Sequence, residues 1–138
     1  MDAADKLAIA ELLARSAYGL DVKDLAQLEG CFSADANFTL TIEGVPEASK
    51  FTGRDEIMGL FRGALDAQTD ERKHVISNLW FSEASANAAT AVSYLSLFAT
   101  ENGETNLITT GAYTDRVTKS DDGNWLISDR NLALDRPY

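Results

Sequence analysis

Apolar residues recur every three or four positions in the first half of the chain and every second position in the second half. Across residues 3–20, Ile9, Leu13, Ala17 and Leu20 trace one helical stripe, with Asp2 placed to cap it. A short second helix is expected after Asp24: Gln27 stands three residues on, as in a capping box, and Leu25, Leu28 and Phe32 give an apolar face. Residues 37–42 alternate and read as a strand, and residues 43–49, with Gly44 and Pro46, as a loop. Thr52 and Asp55 suggest a capping box for a third helix carrying Ile57, Leu60, Phe61, Ala64 and Leu65.

From Lys73 onward the period changes. Residues 74–82, 88–100, 105–119 and 124–135 are rich in β-branched and aromatic residues, and Asn102-Gly103 and Asp122-Gly123 are two-residue hairpin signals. Helices followed by long hairpins define an α+β class, with the helices packed on the concave face of a curved, mostly antiparallel sheet. Residues 1–138 read as a single domain.

Two-residue turns predict the pairing. Leu97 falls opposite Ile108, Leu95 opposite Thr110, Arg116 opposite Asp129 and Thr114 opposite Asn131. The expected concave face carries Leu95, Leu97, Ile108, Thr110, Ala112, Trp125, Ile127, Asp129 and Asn131. The outer face carries Val92, Tyr94, Phe98, Leu107 and Tyr113. One bulge, for instance at Gly111, inverts part of this assignment. An apolar outer face that helices do not cover predicts a homo-oligomer, a dimer or a trimer. Asp129 is read either as a cross-strand partner of Arg116 or as an acid in the pocket.

Charge narrows the partners. The 138 residues include 22 acids against 12 bases, a net charge of −10. This argues against nucleic acid and anionic membrane surfaces, and no apolar run nears the roughly 20 residues of a membrane span. The acidic start reads as a mature helix and not as a signal peptide. Cys31 is alone, so no internal disulfide is possible, and a reducing cytoplasm fits. Its neighbours Leu28 and Phe32 make it an inert buried residue in preference to a nucleophile.

Two positions stand out chemically. Asp21 continues the stripe of Leu13 and Ala17, so it is either a turn or capping residue or a carboxylate aimed inward that needs a partner. His74 is the single histidine, and strand alternation places His74, Ile76, Asn78 and Trp80 on one side. It is read either as a structural residue or as a base for proton transfer near neutral pH, with a carboxylate fixing its tautomer. One His and one Cys argue against a zinc site. No phosphate loop, dinucleotide fingerprint or nucleophile elbow is present. No cofactor or metal is expected.

The order of motifs resembles a known family. A helix ending in AYGLDVKDLAQLEGCFSADANF is followed by GRDEI, by His-x3-Asn on a strand, then by GAYTDRV and GNWLISDR. This is similar to the SnoaL-like branch of the nuclear transport factor 2-like superfamily. The resemblance implies a cone-shaped α+β barrel around a deep apolar pocket. It further implies a cofactor-free lyase or isomerase, a dehydratase, isomerase or cyclase, acting on a small hydrophobic, cyclic substrate. Asp21 and His74 match the family's aspartate–histidine pair for proton abstraction. Tyr18, Asn78 and Asn131 are the expected hydrogen-bond donors to a developing oxyanion. Leu95, Leu97, Ile108, Thr110 and Asp129 are expected to line the pocket. The chain also departs from its dehydrochlorinase and dehydratase members. Ser16 stands where one has a lysine, Asp129 near the place of an arginine although Arg130 is adjacent, and Leu20 where another has a tyrosine. The family also holds binding modules and structural subunits, so a non-catalytic role is the alternative.

Overall fold

The computed structural model describes residues 1–138. Three helices, α1 (Ala3–Asp21), α2 (Leu25–Glu29) and α3 (Arg54–Ala67), accompany six strands. The strands are β1 (Phe32–Ile42), β2 (Ser49–Thr52), β3 (Glu71–Ala84), β4 (Ala88–Glu101), β5 (Glu104–Lys119) and β6 (Trp125–Leu134). The order across the sheet is β2-β1-β6-β5-β4-β3, so β2 and β3 are free edges and the sheet does not close. Every neighbouring pair is antiparallel except β1 with β6. The α+β class with N-terminal helices on a curved, mostly antiparallel sheet is the architecture expected from the sequence.

Local signals explain the helices. Asp2 caps α1 and accepts from the Asp5 N–H at 2.8 Å, while the Asp5 carboxylate answers the Asp2 N–H in a reciprocal box. Asp24 caps α2 by accepting from the Gln27 N–H at 3.1 Å. The box expected for α3 does not form. Its N-cap is Gly53, which has no side chain to offer, and the Glu56 carboxylate instead accepts the Thr52 N–H at 2.7 Å. The loop expected over residues 43–49 ends in the short strand β2, which pairs with β1.

The core lies between the helices and one face of the sheet. Ile9 and Leu13 of α1, Ile57 and Met58 of α3, and Phe32, Leu95, Val117 and Ile127 of the strands are almost fully buried. Phe61 locks α3 to β1, with its ring 6.1 Å from that of Phe32 and 6.0 Å, edge-on, from that of Phe38. Asp5 ties α1 to β5 and β6. It accepts from Trp125 Nε1 at 3.0 Å and from Lys119 Nζ at 3.2 Å, contacts that hold its carboxyl down at about 2.

Bulges decide which residues face inward. The Asn102-Gly103 turn pairs Glu101 with Glu104 and Phe98 with Leu107, as a two-residue turn requires. The ladder then slips, because Leu97 pairs with Thr109 and Ile108 is extra. Thr109, Gly111, Tyr113 and Asp115 therefore face inward, and Thr110 and Ala112 outward. This corrects the expected faces: Tyr113 is buried and Thr110 is not. The Asp122-Gly123 turn is wider than two residues, since Lys119 pairs with Trp125. An extra residue, Ser128, restores the expected pairing of Arg116 with Asp129, but it also turns Arg130 inward in place of Asp129 and Asn131. A third irregularity in β3 lies between Ser77 and Trp80, where Asn78 has φ +56°.

Gly111 of β5 lies against the main chain of β6. A Cβ there would lie 2.6 Å from the Ala133 carbonyl oxygen, a main-chain atom that cannot swing aside. Gly111→Ala should lower stability by about 1–3 kcal/mol through overpacking, read as a fall in the urea midpoint. An unchanged midpoint would show that the two strands have room to part.

Candidate functional site

A cavity of about 380 Å³ opens between α1, α3 and the inner face of the sheet. Of its 21 lining residues 16 are hydrophobic, which suits a largely apolar ligand. Ser16, Ala17 and Leu20 of α1 form one wall and Leu60, Phe61, Ala64 and Leu65 of α3 another. The sheet contributes Leu95, Leu97, Leu132 and Leu134 to the floor. Arg72, His74, Tyr113 and Arg130 supply most of the polarity.

Asp21 closes α1 and reaches across to β3. Its carboxylate accepts the His74 main-chain N–H at 3.0 and 3.1 Å and lies 2.6 Å from His74 Nδ1. A carboxylate can only accept, so Nδ1 carries a proton, and in the neutral ring Nε2 is the nitrogen with the lone pair. Nε2 has no protein partner, and His74 borders the cavity. The arrangement is an imidazole held in one tautomer, with its basic nitrogen available to a ligand.

Arg130 and Asp115 form a fork within the cavity wall. Nε and Nη2 of Arg130 donate to the two Asp115 oxygens at 2.8 and 3.0 Å, and the side chains are 5% and 0% exposed. Nη1 is left without a protein partner. Burial alone would pull the Arg130 guanidinium down, but the charge and hydrogen bonds of Asp115 outweigh it and raise its pKa, so Arg130 is charged at every ordinary pH. Its guanidinium carbon lies 4.2 Å from the centroid of the Tyr113 ring. Burial pushes the Tyr113 phenol up, with Arg130 opposing, and the hydroxyl therefore stays protonated as a donor.

The structure separates the expected site residues into two groups. Asp21 and His74 meet, and Leu95 and Leu97 line the same cavity. Tyr18 does not, being 61% exposed on α1. Asn78, Ile108, Thr110, Asp129 and Asn131 also lie off the cavity, because the three strand irregularities reverse their sides. Asp129 stands opposite Arg116 in the ladder, but their side chains form no ion pair, since the Arg116 guanidinium reaches Glu83 and Thr90. Sequence reasoning did not assign Tyr113, Arg130 and Arg72 to the site. Period-two alternation carries no mark of an extra residue, so nothing short of the bulge positions would have found the first two. Arg72 shares a strand face with His74 two residues away, and that signal was present.

The chain belongs to a family: the model of the SnoaL-like domain matches residues 1–131. No curated protein matches it. Among solved structures, a Nostoc punctiforme protein of unknown function with a cystatin-like fold is 27% identical, with a TM-score of 0.82 over 98% of this chain and 94% of that one. A Novosphingobium aromaticivorans chain described as the beta subunit of an aromatic-ring-hydroxylating dioxygenase is 22% identical, with a TM-score of 0.82 over 98% and 92%. A Catenulispora acidiphila protein solved in complex with S-DNPA is 20% identical, with a TM-score of 0.82 over 96% and 95%. The last two likenesses concern the fold.

The buried fork generates a stability prediction. Asp115→Leu strands a buried guanidinium and should cost about 3–5 kcal/mol, read by urea denaturation. Adding Arg130→Met should recover most of that loss, because a hydrophobic pair of similar volume needs no compensation. A double variant as unstable as the single one would show that the cost lies in packing and not in charge.

Proposed function

We propose that the protein is a cofactor-free enzyme that removes a proton beside a carbonyl of a small hydrophobic, cyclic substrate, with His74 as the base. The observation that carries this reading is the imidazole fixed by Asp21 at the wall of an apolar cavity, with Nε2 unpartnered. His74 Nε2 takes the α-proton. Asp21 holds the ring and stabilises the imidazolium that forms. The electron pair moves toward the carbonyl oxygen, where Arg130 Nη1 and the Tyr113 hydroxyl donate to the developing enolate. The proton held on His74 then returns to another atom or to a leaving hydroxyl, which gives isomerisation or loss of water. A ring closure follows if the enolate carbon attacks a second carbonyl.

The test uses 1-tetralone and 4-chromanone in D₂O, with α-proton exchange followed by NMR. Wild type should accelerate exchange, and His74→Ala should reduce the acceleration about a hundred- to ten-thousand-fold while the fold survives. Saturable binding of these ketones without exchange would sink the enzymatic reading. It would support the alternative, a binding module or a structural subunit like the dioxygenase beta chain that shares the fold.

The second part of the proposal is assembly. Trp80, Tyr94 and Leu107 are more than half exposed on the outer face of the sheet, and Val75 nearly half. No helix covers this face, and such a patch fits a homo-oligomer, a dimer or a trimer, in a cytoplasmic setting. Tyr94→Glu should give a folded monomer by light scattering. A wild type that is monomeric at micromolar concentration would remove this part of the proposal and leave the chemistry standing.

A further inference from the structure

Three cationic or potentially cationic side chains border the cavity, each backed by a carboxylate that does not. Arg130 is backed by Asp115, His74 by Asp21 and Arg72 by Asp70. The cavity wall therefore offers donors, while the compensating charge sits behind. The first two pairs take part in the proposed reaction. The third does not, and nothing in proton abstraction requires it.

Arg72 repeats the geometry of Arg130. Its Nε and Nη2 face the Asp70 oxygens at 2.9 and 3.4 Å, and its Nη1 has no protein partner. Gln68 lies beside it on the cavity wall. The Gln68 Nε2 donates to the Asp70 carbonyl at 2.7 Å, which leaves Oε1 as an unpartnered acceptor. Strand register puts His74, level with Leu97 of β4, between the two arginines and two residues from Arg72. Arg72 is level with Ala99 of β4, whereas Asp115, the strand neighbour of Arg130, is level with Ala91. That separation is roughly 25 Å of strand, and the two long side chains reach inward across it. The Arg130 side chain is 5% exposed and the Arg72 side chain 20%.

We infer that Arg72 and Gln68 form a second polar subsite that reads a neutral oxygen, a hydroxyl or a carbonyl, on the side of the reacting carbon away from the carbonyl held at Arg130. Arg72 Nη1 donates to that oxygen, and Gln68 Oε1 accepts from it when it is a hydroxyl. A carboxylate fits poorly, since Asp70 already neutralises Arg72 and Glu71 and Glu101 are near neighbours. The substrate class is thus a mostly apolar ketone with a second oxygen a few atoms beyond the reacting carbon. This rests on the proposed placement of the reacting carbonyl at Arg130 and Tyr113.

The experiment is a double-mutant cycle in ligand and protein. The probes are 4-(4-(hydroxymethyl)phenyl)butan-2-one and its isostere 4-(4-ethylphenyl)butan-2-one, bound to wild type and to Arg72→Met by calorimetry. The affinity ratio of hydroxymethyl to ethyl should fall about tenfold in the variant, the scale of a hydrogen bond to a charged donor. The ethyl compound alone should bind both proteins equally. Arg72→Gln, a milder change, should show the same fall and covers the case in which Arg72→Met does not fold. A change below twofold, no saturable binding of either probe, or tighter binding of 4-(3-oxobutyl)benzoic acid than of the hydroxymethyl compound would overturn the inference. Deuterium exchange at the methylene beside the carbonyl reads His74 separately. Its absence with the coupling intact would reject the base and keep the subsite.

Discussion

The Asp21 carboxylate is the contact on which both the shape and the chemistry depend. It stands at the last residue of α1 and takes the main-chain N–H and the ring Nδ1 of His74 on the edge strand β3. An edge strand has one side of its ladder unpaired, and here a side chain satisfies part of that need. The same three contacts pin the end of the helix over the cavity and fix the imidazole tautomer. A neutral replacement at position 21 would loosen the wall and free the ring together. A structural role and a positioning role are therefore not alternatives for this residue.

Curvature is the second constraint, and it explains why some of the site was legible in the sequence and some was not. Helical stripes, caps and hairpin turns are local, and α1, α2 and the Asn102-Gly103 turn lie where the residue pattern puts them. The cavity, however, needs a strongly bent sheet, and bulges supply bend and twist at the cost of register. An extra Ile108 exchanges the sides of Thr110 and Tyr113, and an extra Ser128 exchanges those of Asp129 and Arg130. Asn78, at positive φ, does the same in β3. Asn tolerates the left-handed region better than most residues, but it is also a common turn residue. Its presence alone does not announce a bulge inside a strand. Asp21 and His74 escaped these reversals because they sit before the first of them.

The Arg130–Asp115 fork is costly as a stabilising device. Two charges removed from water need near-complete hydrogen bonding to break even, and a hydrophobic pair would serve the core as well. Asp115 has both oxygens occupied, while Arg130 keeps one nitrogen without a partner beside an apolar cavity. That asymmetry suits a group held ready for a ligand more than one spent on packing. Tyr113 adds to it: its ring lies against the guanidinium and its hydroxyl stays protonated. Two donors are thereby fixed in place before any ligand arrives, and preorganised donors lose little on reorganisation when charge develops.

The placement of charge also bears on the protein's strong acidity. With a net charge of −10, the field outside is negative and would oppose an anion entering the cavity. Within the wall each carboxylate lies behind its cation, so the polar groups that a ligand meets in the largely apolar wall are N–H and O–H donors and neutral acceptors, with no carboxylate among them. A neutral ketone pays no electrostatic penalty on the way in. It meets favourable donors where its oxygen gains negative charge during proton removal. A substrate already charged would lose on entry what it gained inside. The polarity of the cavity therefore favours charge that develops during the reaction over charge that is carried in, and binding strengthens at the point where the barrier lies.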